Sequence, residues 1–384
     1  MMTTYHKDKV AFLVFSDDWG EHPSSCQHIF KHIIKQYPVI WVNTIGMRIP
    51  HFTKKDIRKA FKKLKRMFLT ASKGRASLEI PVNLSVLQPF MFPYNRGLFR
   101  KFNRFSVIRS VKKELARREI KSPILVTTVP NSCDYIGAFT ERCVVYYCVD
   151  DFANWPGHNK NLILEMEKKL INKTDIFIAT SEELYSKLSR HSKFVYLLSH
   201  GVDLEKFNQA SPSKEFSNLP KPNVGYVGLI DERLDWDLLY FLAKSLRDIN
   251  FVFVGKLESN IERSFPNMFF IPPITYEKVP SVLKSLDVLI LPYRVNDFTQ
   301  TLNPLKLKEY LASGRPIVGS SLKEIEKWSP FVKVAKNPQE WIEALQKAFL
   351  EDRSALLPKL YHSLAEEDWS VKAKNFLNIC LTCL

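Results

Sequence analysis

Asp287-Val288-Leu289-Ile290-Leu291-Pro292-Tyr293-Arg294-Val295-Asn296-Asp297-Phe298-Thr299-Gln300-Thr301-Leu302-Asn303-Pro304-Leu305-Lys306-Leu307-Lys308-Glu309-Tyr310-Leu311-Ala312-Ser313-Gly314-Arg315-Pro316-Ile317-Val318 reads as strand, long polar loop, short helix, strand. Asn303 predicts an N-cap with Pro304 at the first helical position, and Gly314 falls where a left-handed terminator is wanted. A helix starting beyond a strand presents free N–H groups and its positive dipole end at the carboxyl edge of the sheet, so an anion is expected there. Lys306 lies three residues from both Asn303 and Glu309, so the three side chains can share one face. A diphosphate on Lys306 and a ribose diol on Glu309 is the sharp reading. A surface helix with an ordinary ion pair is the plain one.

Outward from this stretch, apolar β-branched runs alternate with helix-patterned segments along the whole chain, which predicts α/β architecture with mostly parallel sheets. Strands are expected at 10–15, 39–43, 124–128, 143–149, 175–180 and 194–198, then at 224–227, 251–254, 269–271, 288–291 and 316–318. Thr180 and Glu183 suggest a capping box. Between them, the polar, proline-bearing stretch from Gly201 to Pro222 reads as a linker. We therefore expect an N-terminal Rossmann-like domain over 1–205, a C-terminal one over 206–365, and a last helix over 366–384 packing back towards the first. Two doubly wound domains facing across a cleft would place the chemistry in loops after strands.

The chain has 384 residues, above the roughly 250–300 at which single cores stop growing. Its apolar runs are far shorter than the ~18–20 residues needed to cross a bilayer. Its beginning lacks the pattern of a signal peptide, so the cytoplasm is expected. The six cysteines include one Cys-x-x-Cys without a second ligand pair, which argues against structural zinc; Cys143 and Cys148 are expected as buried, reduced thiols. A formal net charge of +16 calls for an anionic partner. The densest basic cluster, Lys54 to Phe68, carries an apolar stripe of Ile57, Phe61, Leu64 and Phe68, at spacings of four, three and four, among lysines that include Lys55, Lys59 and Lys62. That combination suits an anionic membrane surface, and Arg96 to Phe105 mixes aromatics with arginines in the same way. A solvated helix packing its stripe on the core is the alternative.

The window around Lys306 resembles the donor-binding segment of bacterial GT-B glycosyltransferases, Asn/Ser-x-Pro-x-Lys-x-x-Glu-Tyr-x-Ala-x-Gly-x-Pro-Val-Val. The resemblance extends to Ser199-His200-Gly201-Val202-Asp203, to Gly225 through Trp236 and to Val254-Gly255-Lys256, and so covers the C-terminal half. It implies the GT-B fold and a donor site made of Gly228, Arg233, Lys256, Asn303, Pro304, Lys306 and Glu309, the glutamate on ribose and the lysine on phosphates. Many retaining members carry a second glutamate eight positions earlier, where this chain has Thr301.

In the N-terminal half, Val144 to His158 is a buried strand ending in Asp150-Asp151 and an aromatic loop. Adjacent residues leaving a strand point apart, so one carboxylate as general base suits the pair better than a glycosidase couple. The window resembles the Tyr-Asp-x-x-Asp-Asp segment of GT-B enzymes that decorate cell-surface polymers. The loop Asp18-Trp19-Gly20 resembles their acceptor-side loop, with His22 and His158 as alternative bases. The chain has no P-loop, dinucleotide fingerprint or His-Glu-x-x-His helix, which argues against kinase, dehydrogenase and metalloprotease readings.

The resemblance implies a glycosyltransferase moving a hexose or uronic acid from a nucleoside diphosphate sugar, UDP-linked, to a lipid-linked or cell-surface glycan acceptor. It needs no cofactor or metal beyond the donor substrate and no nucleic acid, and it would work at the inner face of the membrane. The rivals are a nucleotide-sugar epimerase on the same fold and a basic nucleic-acid- or lipid-binding protein.

Overall fold

A computed structural model of the chain describes residues 10–21, 24–44, 81–92, 96–155, 157–216, 218–258 and 265–383. The basic cluster holding Lys55, Lys59, Phe61, Lys62, Leu64 and Phe68 lies outside the described residues, as does His22. The chain forms two compact units, one of residues 1–198 with 373–384 and one of residues 199–372.

The first unit is built on seven parallel strands: β1 (Phe12–Ser16), β2 (Val39–Asn43), β3 (Leu84–Leu87), β4 (Ile124–Thr127), β5 (Cys143–Cys148), β6 (Ile176–Ala179) and β7 (Val195–Leu197). Their spatial order is β3-β2-β1-β4-β5-β6-β7. β1 pairs with β2 from Phe12 opposite Val39, and with β4 from Phe12 opposite Ile124. Strands such as Phe12-Leu13-Val14-Phe15 are buried throughout, as a parallel sheet covered by helices on both faces requires. The helices are α1 (Ser25–Ile33), α2 (Gly97–Arg117), α3 (Lys160–Ile171) and α4 (Glu182–Leu188).

The second unit repeats the plan with six parallel strands: β8 (Asn223–Val227), β9 (Asn250–Val254), β10 (Met268–Ile271), β11 (Val288–Leu291), β12 (Ile317–Ser320) and β13 (Lys333–Ala335), in the order β10-β9-β8-β11-β12-β13. Its helices are α5 (Leu204–Gln209), α6 (Trp236–Ser245), α7 (Val279–Ser285), α8 (Asp297–Gln300), α9 (Leu305–Ala312), α10 (Lys323–Glu326), α11 (Pro338–Phe349) and α12 (Leu357–Leu364); α13 (Trp369–Leu381) starts here and ends in the first unit. Both strand orders reverse beside the first strand, at β1/β4 and β8/β11, where doubly wound sheets open a crevice at their carboxyl ends.

Several expectations are corrected. The stretch Gly201 to Pro222 is no linker but part of the second unit, because Phe207 and Phe216 are buried in its core and Asp203 caps α5 through a 3.1 Å bond from the Lys206 amide. The units meet in sequence at Leu198/Ser199 and Lys372/Ala373, not at 205/206 and 365/366. α4 is capped by Ser181, whose hydroxyl accepts from the Leu184 amide, while the Thr180 hydroxyl donates to the Val149 carbonyl at 3.0 Å. Cys143 is not a free thiol: it is joined to Cys383, whose Cα stands 6.1 Å away, a separation within the disulfide range. Phe376 of α13 packs edge-on against Phe30 and Tyr147 in the first unit. That seat brings the chain's end back to the start of β5. Cys26, Cys133, Cys148 and Cys380 are free and buried.

Candidate functional site

The second unit gathers its chemistry at the β8/β11 reversal. β8 is followed by Gly228 with φ at +148°, and a Cβ there would stand 1.8 Å from Lys306 Cε, so only glycine lets the lysine of α9 pass under the loop. β9 is followed by Gly255, φ +152°, where a Cβ would strike the Gly228 carbonyl oxygen at 1.8 Å. The two loops are stitched by Gly228 N–H donating to the Val254 carbonyl at 2.8 Å and Ile230 N–H to the Lys256 carbonyl at 2.9 Å. Sequence alone had marked both glycines; their stacking on one another and on Lys306 is what the structure adds.

Around Lys306 the charges are arranged in opposed pairs. Its Nζ lies 5.6 Å from the Tyr226 ring centroid. Burial, reinforced by the nearby Arg233 guanidinium, lowers its ammonium to about 8, with Glu309 and Asp231 pulling the other way. Burial pushes the Glu309 carboxyl up to about 7, against the pull of Lys306 and a hydrogen bond from the Tyr276 hydroxyl. Burial works against the Arg233 charge as well, but bonds from its Nε and Nη2 to the Asp231 carboxylate overcome it and hold the guanidinium protonated. A half-buried lysine and a buried carboxylate, each made costly in its charged form, form a site that favours a ligand bringing both an anion and hydroxyl groups.

Tyr276 completes this edge. It sits in a 3-10 turn (Tyr276–Lys278) after β10, bonds Glu309 and carries the Lys206 ammonium 4.3 Å over its ring. Lys306, Glu309, Gly228 and Arg233 thus come together with Asp231, Tyr226, Tyr276 and Lys206, none of which we had singled out. The signal was available: each follows, or stands at the end of, a strand at the same sheet edge or lies on the α5 turn that the linker reading had discarded.

In the first unit, the loop after β1 is organised by Asp17, which accepts from Ser16 Oγ at 2.7 Å, Ser24 Oγ at 2.9 Å and Gln27 Nε2 at 2.7 Å. Trp19 N–H donates to Asn43 Oδ1 at 3.1 Å and its ring meets Trp41 edge-on at 4.7 Å. Gly20 takes φ +81° and donates its N–H to Gln27 Oε1 at 2.9 Å. Asp18 is half-buried in the same loop. After β5 the two carboxylates diverge. Asp151 is buried, accepts from Asn154 Nδ2 at 2.7 Å and pairs at 3.3 Å with Lys187, which also holds Glu167 at 2.8 Å. Asp150 is partly exposed. His158 Nδ1 lies 2.9 Å from the Phe152 carbonyl and its ring stacks on Trp155. Among the described residues no three His, Cys, Asp or Glu side chains converge as a metal site.

The family described as glycosyl transferases group 1 matches residues 221–351, which contain the whole Lys306 arrangement except Lys206. The matched segment lies wholly within the second unit. A Bacillus subtilis relative named as the teichuronic acid biosynthesis glycosyltransferase TuaH is 27% identical over 253 residues, 59% of this chain and 64% of that one. The match thus spans less than two thirds of the relative's length. Among solved structures, the chain is similar to the E. coli protein of the complex described as trehalose-6-phosphate bound with UDP-2-fluoro glucose (10% identity, TM-score 0.63, covering 96% of this chain and 98% of that one). It is also similar to Anabaena Alr3699/HepE in complex with UDP-glucose (14% identity, TM-score 0.63, 97% and 100%). At these identities the likeness shows the fold, which is GT-B: two Rossmann-like α/β domains.

Within this matched segment, three expected features sit differently. Pro304, not Asn303, occupies the N-cap of α9, and no side chain caps it: Pro304 has ψ 116°, an extended value, so the helix starts one residue later. Asn303 is buried beside it. Lys256 contributes its backbone, while its side chain is exposed and pairs with Glu258. Thr301, at the place of the family's second glutamate, donates its hydroxyl to the Phe298 carbonyl at 2.7 Å and ends the α8 turn. Gly314 closes α9 with φ +74° as expected.

Proposed function

We propose that the chain transfers a sugar from a nucleoside diphosphate sugar, UDP-linked, to a hydroxyl of a lipid-linked or cell-surface glycan acceptor. The observation that carries the proposal is the pair one helical turn apart on α9, the half-buried Lys306 passing under Gly228 and the buried Glu309. A diphosphate would meet the Lys306 ammonium and the first-turn amides of α9, and a ribose diol would donate to Glu309. The complexes of the solved neighbours with UDP-2-fluoro glucose and UDP-glucose support the donor class, and the name of the B. subtilis relative supports a cell-surface polymer as destination.

In this mechanism Lys306 stabilises negative charge as it develops on the leaving diphosphate, and Arg233 adds a second cation, oriented by Asp231. Asp150 takes the proton of the acceptor hydroxyl as it attacks the anomeric carbon. Asp151, already committed to Lys187 and Asn154, holds the loop that presents Asp150. The acceptor belongs at a membrane, and the chain works at that surface; no helix among the described residues is long and apolar enough to cross one.

A thermal-shift screen of nucleotides and nucleotide sugars tests the reading, because a ligand bound only by the folded state raises its melting temperature. UDP and UDP-sugars are expected to raise it, and nucleoside monophosphates to do so less. A screen in which no diphosphate nucleotide shifts the protein contradicts the proposal. Release of UDP that requires an acceptor separates transfer from epimerisation.

A further inference from the structure

α2 has two unlike faces. Asn103, Val107, Val111 and Leu115 are buried against the first unit. On the opposite side, Leu98, Phe102 and Phe105 follow spacings of four and three residues and so share one face, 80%, 42% and 61% exposed, with Phe99 beside them at 47%. A soluble helix does not ordinarily turn four large apolar side chains to water in its first three turns. The patch is held in shape from below: Phe99 and Phe102 pack on Phe92 at 5.0 and 5.2 Å.

The same face continues into exposed cations. Arg109 and Lys112 extend the spacing by four and three, with Lys101 and Lys113 alongside, and no acidic residue occurs from Arg96 to Lys113. Among the described residues none of these four cations has an ion-pair partner. Two others are taken up in fixing the helix: Arg100 pairs with Asp134 at 2.6 Å, and Arg104 Nε donates to the Asp134 carbonyl at 2.9 Å. Asp134 ends the 3-10 turn that follows β4, so these bonds pin the apolar half of α2 at the carboxyl edge of the first sheet. That edge also bears the loops after β1 and β5.

We propose that this face of α2 docks on an anionic lipid surface, Leu98, Phe99, Phe102 and Phe105 entering the headgroup–acyl boundary while Lys101, Arg109, Lys112 and Lys113 meet lipid phosphates. The inference deepens the reading of a membrane-borne acceptor: docking by α2 sets the acceptor-side loops of this unit at the surface where such an acceptor lies. Lipid suits the face better than nucleic acid does, because its centre is apolar and its cations lie along the flank and the following turns.

The test is co-sedimentation of the full chain with vesicles of phosphatidylglycerol and phosphatidylcholine, against phosphatidylcholine alone and over a salt series. We expect binding to the anionic vesicles, weaker by about tenfold or more on neutral ones or at high salt. The variant Leu98→Ser/Phe102→Ser/Phe105→Ser should lose about tenfold or more, and Arg109→Gln/Lys112→Gln, which leaves every packed residue untouched, should lose severalfold and flatten the salt dependence. Unaltered melting temperature and UDP response of each variant check the fold. Wild-type protein that ignores anionic vesicles, variants that bind as the wild type does, or a face that instead captures oligonucleotides or a second copy of the chain in sizing experiments would each overturn the proposal. A wild type that binds vesicles but shows no response to UDP sinks the donor reading and leaves the docking surface standing.

Discussion

Lys306 passes so close beneath Gly228 that a single methyl group at 228 would stand 1.8 Å from its Cε. Because the obstructed atom belongs to the far part of a flexible side chain, the structure can yield there by expelling the lysine. Gly228→Ala is therefore expected to lose UDP affinity by about tenfold or more, while stability falls by only about 1–2 kcal/mol for the positive φ. Gly228→Ala and Lys306→Ala combined should cost little more than either alone, which calorimetry on the four proteins reads directly.

Gly255→Ala should behave differently. Its added Cβ meets the Gly228 carbonyl oxygen at 1.8 Å, which is backbone and cannot swing aside. We expect destabilisation of about 3 kcal/mol or more, visible as a lowered urea midpoint with or without nucleotide.

The pH dependence follows from the same buried pair. Donor binding needs Glu309 ionised and Lys306 protonated, so affinity should peak between about 7 and 8 and fall on either side. Stability runs the other way. Glu309, raised from 4.5 to about 7, holds a proton that the unfolded chain has released, so stability drops as pH climbs through that interval. Lys306, lowered from 10.5 to about 8, has lost a proton that the unfolded chain keeps, so stability rises from about 8 upward. Glu309→Gln should accordingly stabilise the ligand-free protein near pH 7.5 by about 1–2 kcal/mol, read as a higher melting temperature, while weakening UDP binding. An unchanged melting temperature would contradict the burial argument.

Tyr276 acts through Glu309. Removing its hydroxyl in Tyr276→Phe should reduce UDP affinity by about fivefold, since one bond that orients the carboxylate is lost. With 2′-deoxy-UDP, which lacks a hydroxyl for Glu309 to hold, the same substitution should cost much less. A loss of equal size with both nucleotides would make Tyr276 a packing residue only.

Asp150 and Asp151 separate by readout. Asp150→Asn should cut transfer by about 10²–10⁴ with nucleotide binding intact. Asp151→Asn weakens the pairing with Lys187 and should show first in stability, by about 1–3 kcal/mol. Equal kinetic losses without a stability change in Asp151→Asn would reverse the assignment.

Much of this was legible before the fold was known. Central strands announce themselves as unbroken apolar runs because both their faces are covered, and Val39–Asn43 and Val288–Leu291 were located to the residue. The edge strands β3 and β13 were missed. Leu84-Ser85-Val86-Leu87 and Lys333-Val334-Ala335 are short and partly uncovered, so nothing in their composition demands a sheet. The proposed donor residues Lys306, Glu309 and Gly228 lie in windows whose local pattern already suggests a phosphate site. Asp231 shares the Gly228 window, whereas Tyr276 and Lys206 reach the site from other elements, so only their places after β10 and on α5, and no local spacing, point to them. The pairing of Cys143 with Cys383 spans 240 residues and was invisible for the same reason. The start of α9 was misplaced by one residue because Pro304 is as acceptable in the cap as inside the first turn.

Calorimetric titration of UDP into the wild type, Lys306→Ala and Glu309→Ala puts the central claim to its most direct trial. The account predicts saturable binding by the wild type and losses of about 30-fold or more in each variant, which corresponds to about 2 kcal/mol. Wild-type protein that binds UDP with the same affinity as both folded variants would show that the nucleotide lies elsewhere.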